Sequence, residues 1–114
     1  MQIWRNQTGD GYTPPAHFGG LTVRDIVPFE EGNYAVQIAT IPPGGGGESH
    51  HHETWSQLFY IVDGQMTFDT GAEKFELSSG QSVLFEPHDP HGTLNEGSRD
   101  TLALVFTIKH QHGS

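Results

Sequence analysis

Apolar positions along this chain fall in short runs rich in β-branched and aromatic residues, separated at regular spacing by polar and turn-forming residues. Leu21-Val27, Tyr34-Ile41, Ser56-Val62, Gln65-Asp69, Lys74-Leu77, Ser82-Glu86 and Thr101-Ile108 have this character, which suits a pleated, half-buried surface. Gly, Pro, Asn or Asp punctuate them at Glu31-Gly32-Asn33, Pro42-Pro43-Gly44, Asp63-Gly64, Thr70-Gly71, Ser79-Gly80 and Asn95-Glu96-Gly97. Asp63-Gly64 between two such runs predicts a tight hairpin. No window carries a helical period with caps. Many short strands with turn signals between them predict an all-β sandwich or barrel.

The pattern also divides the chain. Residues 1–20 hold Gly, Pro, Tyr, Phe and His with little periodicity, and are expected to form an irregular arm, either a lid over the barrel mouth or a dimer contact. Residues 21–109 form the barrel, and 110–114 a flexible tail whose His110 and His112 could bind metal adventitiously. The run Gly44-Gly47 is a loop by composition. No Lys-Ser/Thr follows it and no helix is signalled, which argues against a phosphate cradle.

Composition narrows the classes. A chain of 114 residues fits one domain with one core. It has no cysteine, so disulfides and thiolate metal sites are excluded. The N-terminus Met1-Gln2-Ile3-Trp4-Arg5 has no apolar signal core, and no run approaches the ~18 apolar residues of a membrane span. A soluble, cytoplasmic protein is expected. Fourteen acids against five bases give a net charge of −9. Such a surface repels phosphate backbones, so nucleic acid is not an expected partner. No cationic amphipathic stretch offers itself to a membrane.

Eight histidines are many for this length, and their placement is informative. His50 and His52 in Glu48-Ser49-His50-His51-His52-Glu53 would share one face of a regular strand, with His51 and Glu53 on the other. A third imidazole from a distant strand, His91 in Pro90-His91-Gly92, would complete a three-nitrogen metal corner. Gln57 shares a face with Phe59 and Ile61. Inward His and Gln are costly to bury unless they bind something.

These residues carry a resemblance to the cupin superfamily. Its first motif is a Gly, five residues, His-x-His, three or four residues, Glu, six residues and Gly. Here Gly44, His50, His52, Gln57 and Gly64 stand at those intervals, with Gln57 where the family usually has Glu. The second motif is a Gly, five residues, Pro-x-Gly, two residues, His, three residues and Asn. Gly80, His91 and Asn95 fit it, while Glu86 and His88 replace the Pro and Gly, and Pro87 and Pro90 keep the turn character. The resemblance implies a single-domain double-stranded β-helix barrel that holds one divalent ion on His50, His52, Gln57 and His91. Zn, Mn, Fe or Ni all suit such donors. It also implies a small-molecule substrate and a homodimer.

The departure at Gln57 directs the functional expectation. Three imidazoles and a carboxylate leave a divalent ion at about +1, whereas an amide leaves it at about +2, a stronger Lewis acid. A set of His-x-His, Gln and His resembles that of non-redox cupins: those that ketonise unsaturated uronates, and the bacterial cupin hydroxynitrile lyases. In size and layout the chain is similar to single-domain polyketide cyclases. The resemblance thus implies a lyase, isomerase or cyclisation step on a small carbonyl or enol substrate. The alternatives are a dioxygenase using Fe(II) or Ni(II), and a non-enzymatic binding module. Proton transfer needs a base in reach of the substrate, and the candidates are His88, Tyr34, Glu48 and His17. Trp55, Phe59, Tyr34 and Phe106 are candidates for an aromatic wall.

Overall fold

The computed structural model describes residues 1–5, 11–29 and 32–110. Ten strands follow in chain order: β1 (His17–Phe18), β2 (Thr22–Val27), β3 (Tyr34–Ile41), β4 (Gly46–His50), β5 (Trp55–Asp63), β6 (Gln65–Asp69), β7 (Lys74–Ser78), β8 (Ser82–Phe85), β9 (His91–Leu94) and β10 (Thr101–Lys109). They build two five-stranded antiparallel sheets, in the orders β1-β4-β9-β6-β7 and β2-β3-β10-β5-β8. This is the expected all-β, double-stranded β-helix barrel. Among the described residues no helix is long and apolar enough to cross a membrane.

The core lies between the sheets, where inward positions of successive strands interlock. On β10, Thr101, Ala103, Val105 and Thr107 are buried, while Leu102, Leu104 and Phe106 between them are partly exposed, the period of two expected of a strand with one face in the core. Leu21, Val23, Ile41, Ile61, Met66, Phe68 and Phe85 join Ala103 and Val105 in one cluster. Phe68 is the aromatic centre, with ring centroids of Phe59, Phe75 and Phe85 at 5.5, 5.5 and 5.8 Å, the tilted and offset spacing that aromatic pairs favour.

Two local expectations are corrected. Asp63-Gly64 does not turn a hairpin: β5 and β6 belong to different sheets. Gly64 has φ +94°, and a Cβ there would lie 2.8 Å from Thr101 Oγ1 and 2.9 Å from Thr101 Cα. The glycine lets the chain step from one sheet to the other against the start of β10, a corner that an L side chain would obstruct. Likewise the Gly44-Gly47 run is only half a loop, because Gly46 and Gly47 begin β4. A Cβ on Gly46 would stand 2.0 Å from Thr93 O on β9. The glycines here are close-approach residues of a strand, and composition alone reads them as a linker.

Asn95 ties the ends of the sheets together. It is buried, and its Nδ2 donates to Ile41 O at 2.8 Å and Arg99 O at 2.9 Å, while Oδ1 accepts from Gly97 N at 2.9 Å. Residues 11–20 lie along the barrel. Tyr12 bridges to Val23, and β1 pairs with β4 through His17 opposite Gly47. Of the expected tail, His110 donates its backbone N–H to Thr54 O and holds Ser56 Oγ at 2.7 Å from Nε2. Residues 111–114, with His112, lie outside the described residues.

Candidate metal centre

The two sheets bring the four motif residues together at one end of a cavity of about 190 Å³. His50 closes β4 and is the register partner of His91, which opens β9. Their ring centroids are 4.7 Å apart. His52 lies beyond the end of β4 in the connection to β5, with its ring 4.8 Å from that of His50 and 5.7 Å from that of His91. One ring nitrogen of each histidine lies within 4.8 Å of those of the other two. His50 and His52 both line the cavity and His51 is exposed. The sidedness expected of a strand thus persists, although the strand itself stops at His50.

Backbone carbonyls orient two of the rings. His50 Nδ1 is 2.8 Å from Glu48 O, and His91 Nδ1 is 3.1 Å from Asp89 O. A carbonyl can only accept, so each Nδ1 carries the proton and each Nε2 is left as a lone pair. Asp89 is itself fixed by the turn before β9, where its carboxylate accepts from Glu86 N at 2.9 Å. His91 Nε2 is buried with no hydrogen-bond partner among the described residues. An unsatisfied buried acceptor facing two other imidazoles costs free energy unless a cation or a donor fills the gap.

Gln57 completes the arrangement from the opposite sheet. It is buried, and its Nε2 donates to Thr107 Oγ1 at 3.2 Å, which leaves Oε1 3.3 Å from His52 Nε2. Thr107 is its register partner on β10. The amide oxygen thus joins the imidazole end as a neutral fourth donor. Three imidazole nitrogens and an amide oxygen are the donor types a divalent transition ion accepts. The residues fit such an ion by their convergence and by the orphaned His91 nitrogen.

Electrostatics favour the metal-ready state. Burial pushes the His91 imidazole down from 6.5 to about 4, the nearby His50 and His52 adding to this against the Asp89 carbonyl. Burial, then His50, lowers His52 as well. Neutral imidazoles are the form that ligates. Phe85 stacks on His91 with centroids 4.3 Å apart and planes 14° apart, and Trp55 lies 4.5 Å from the His52 ring.

The candidate bases are placed differently. Glu48, Tyr34 and His88 do not line the cavity, and all three are exposed. Glu48 has the parity of His50 on β4 yet is exposed, the register against β9 shifting between Gly47 and His50, and Tyr34 stands exposed at the start of β3. His88 has φ +74°, its ring faces His51 at 6.3 Å, and its backbone N–H donates to His52 O at 2.6 Å. His17 does line the cavity. Its ring lies 6.1 Å from that of His50, and its Nδ1 is 2.8 Å from Pro15 O, leaving Nε2 free. A Cβ on Gly47 would come within 2.9 Å of that Nε2, so the glycine makes room for the ring. Of the expected aromatic wall, Trp55 and Phe59 line the cavity, whereas Phe106 and Tyr34 do not. Thr107, Gln37 and Thr93 have no motif to mark them. Inward parity on β10 is the signal that could have found Thr107.

Comparison with known proteins agrees with this geometry. Residues 37–107 match the family described as Cupin domain, a span that holds all four motif residues. No curated protein matches the chain. Among solved structures it is similar to KdgF from a Halomonas species, at 19% identity and a TM-score of 0.77 over 98% of this chain and 96% of that one. It is similar also to a predicted oxalate decarboxylase from Thermotoga maritima, at 20% identity and a TM-score of 0.76 over 82% and 84% of the two chains. The cupin domain of an XRE family transcriptional regulator from Enterobacter cloacae gives 19% identity and a TM-score of 0.72 over 82% of this chain and all of that domain (100%). At these identities the likeness is one of fold, and the fold serves enzymes and regulators alike.

Proposed function

This chain belongs to the cupin family, and we propose that it is a mononuclear metal-dependent enzyme that carries out a non-redox lyase, isomerase or cyclisation step on a small carbonyl or enol substrate. Cyclisation of a polyketide-like chain is one such step. The observation that carries the reading is the convergence of the orphaned His91 Nε2 with His50, His52 and the Gln57 amide at one end of the cavity. A divalent ion held there supplies Lewis acidity toward a carbonyl or enol oxygen.

The chain's own residues supply the rest. Gln57, kept in place by Thr107, adds no negative charge, so developing enolate charge meets no opposing carboxylate. The apolar wall leaves the reacting carbon among aliphatic and aromatic side chains. A proton leaving the carbon next to the carbonyl needs an acceptor in the wall. His17 is the titratable group there outside the ligand cluster, among the described residues. Its Nε2 takes the proton, the C–H electron pair passes toward the carbonyl oxygen, and the proton returns at product formation. We also propose that two copies pair through the outer face of the β2-β3-β10-β5-β8 sheet.

Elemental analysis of tag-free protein, then turnover with and without O₂, tests the reading. About one divalent ion per chain is expected, with a loss of at least about tenfold in His50→Ala and His91→Ala, because each removes one of four donors. Undiminished metal in either variant refutes the ligand set. Turnover that persists without O₂ and drops in His17→Gln at unchanged metal content supports the lyase or cyclase class. Turnover that stops without O₂ assigns a dioxygenase instead, and a metal-loaded protein with no turnover is a binding module.

A further inference from the structure

The wall of the cavity constrains its ligand beyond what the metal-ligating end does. All five Lys and Arg of the chain lie among the described residues, and none lines the cavity. Arg5, Arg24 and Lys74 are exposed. Arg99 pairs with Asp63 at 2.9 Å. Lys109 donates to Phe29 O and stands over the Phe29 ring at 5.2 Å. No Asp or Glu lines the cavity among the described residues.

Away from the imidazoles most of the lining is carbon. Leu21, Val23, Ile41, Ile61, Met66 and Phe68 form its depth, and all are buried members of the core. Gln37, the one lining amide besides Gln57, spends its Nε2 on Tyr12 OH at 2.9 Å and Asp25 Oδ1 at 3.1 Å. The polar lining is therefore short: the histidine cluster, Gln57, Thr93 and His17, the Gln37 amide oxygen, and the Trp55 indole N–H, which is buried without a hydrogen-bond partner among the described residues, its ring 4.5 Å from that of His52.

We infer that the cavity takes an uncharged, carbon-rich ligand with its oxygens at one end, such as an aromatic or alicyclic hydroxy-ketone, and that it rejects polyhydroxylated sugar acids. A sugar acid would turn hydroxyls from every side of its ring toward aliphatic carbon, and each would lose its water partners without replacement. A carboxylate directed into the depth would meet no cation. A hydroxy-ketone sets its two oxygens at the polar end and its ring against Ile61 and Phe68, where burial is favourable. The inference rests on the cavity being the substrate site.

Calorimetric titration tests it on protein dialysed against EDTA, so that the wall is read without metal. The probes are 2-hydroxyacetophenone, salicylate and galacturonate. The first two have nearly the same shape and differ by a methyl against a carboxylate oxygen. The expected result is a Kd for 2-hydroxyacetophenone at least tenfold below that for salicylate, with no heat from galacturonate. The variant Ala103→Leu, which fills part of the cavity, should weaken hydroxyacetophenone binding at least tenfold. Salicylate or galacturonate binding as tightly as the ketone, or no binding of the ketone, overturns the ligand class. Indifference to Ala103→Leu in protein that folds normally moves the ligand out of the cavity and overturns it too. Metal content and turnover are separate measurements, so loss of the metal-enzyme reading would be recognised independently.

Discussion

Packing of the His91 ring against Phe85 and Phe59, with centroids at 4.3 and 5.7 Å, removes it from water and holds the imidazole neutral. Its folded pKa of about 4 lies below the ordinary 6.5. The unfolded chain therefore binds the proton first as pH falls, and metal-free protein should be most stable above about 6.5 and lose stability from there down to about 4. His52 shifts in the same direction and adds to the loss. Carboxylates titrate in the lower part of this window, so the informative measurement is a comparison. Denaturation midpoints of EDTA-treated wild type and His91→Gln, taken from pH 7 to 4, should show a shallower decline in the variant. Parallel declines would mean that His91 is not held neutral by the fold. The imidazoles were legible in the sequence because motif spacing and strand parity both mark them. The Glu48 and Asp89 carbonyls that set their tautomers were not, since a backbone acceptor carries no side-chain signature. Nor was the exclusion of Glu48, Tyr34 and His88 from the cavity, which depends on where each strand or turn ends.

Turns and strand ends are the elements in which this chain departs from what its composition suggests. Seven of its strands announce themselves through β-branched and aromatic runs, whereas β1, β4 and β9 are short and rich in Gly and His. Those three belong to the sheet that carries His50 and His91, so the site is built where propensity is weakest and tertiary contact decides. The turn at Glu86–Pro90 shows how. His88 takes a left-handed conformation where the family usually has Gly, and its N–H bond to His52 O ties the connection bearing His52 to the turn before His91. Its side chain contributes only a ring facing His51. An L residue in that region costs about 1–2 kcal/mol, and a glycine returns about 0.5–1 of this to the unfolded chain. His88→Gly should therefore leave stability unchanged or raise it by up to ~1 kcal/mol, with metal content intact. Thermal unfolding and elemental analysis check this, and a variant that loses its metal would show that the His88 side chain holds the site together.

At the scale of the whole molecule, the two faces of the β2-β3-β10-β5-β8 sheet are both apolar, which a monomer does not require. The inner face is the core. On the outer face, register rows place Leu84 beside Leu58 and Phe106, and Tyr60 beside Leu104 and Ile38. Leu84, Tyr60 and Ile108 are 48%, 38% and 47% exposed. Five strands about 4.8 Å apart and some eight residues long give a face of roughly 600 Å². Two copies stacked face to face would bury about 1,200 Å², the lower bound of a stable interface. The scarcity of charge in these rows favours self-association there. A chain of net charge −9 repels its copy, yet the charged residue in these rows is Arg24, a cation, at the margin beside Ile38. Beside the contact expected of residues 1–20, the proposed pairing therefore adds a face whose side chains alternate with the core's. Light scattering should give twice the chain mass for the wild type at micromolar concentration. Leu104→Glu places a carboxylate at the centre of the face and should give the single-chain mass while circular dichroism keeps the strand signal. A monomeric wild type, or a dimer that survives the substitution, would remove this sheet from the interface.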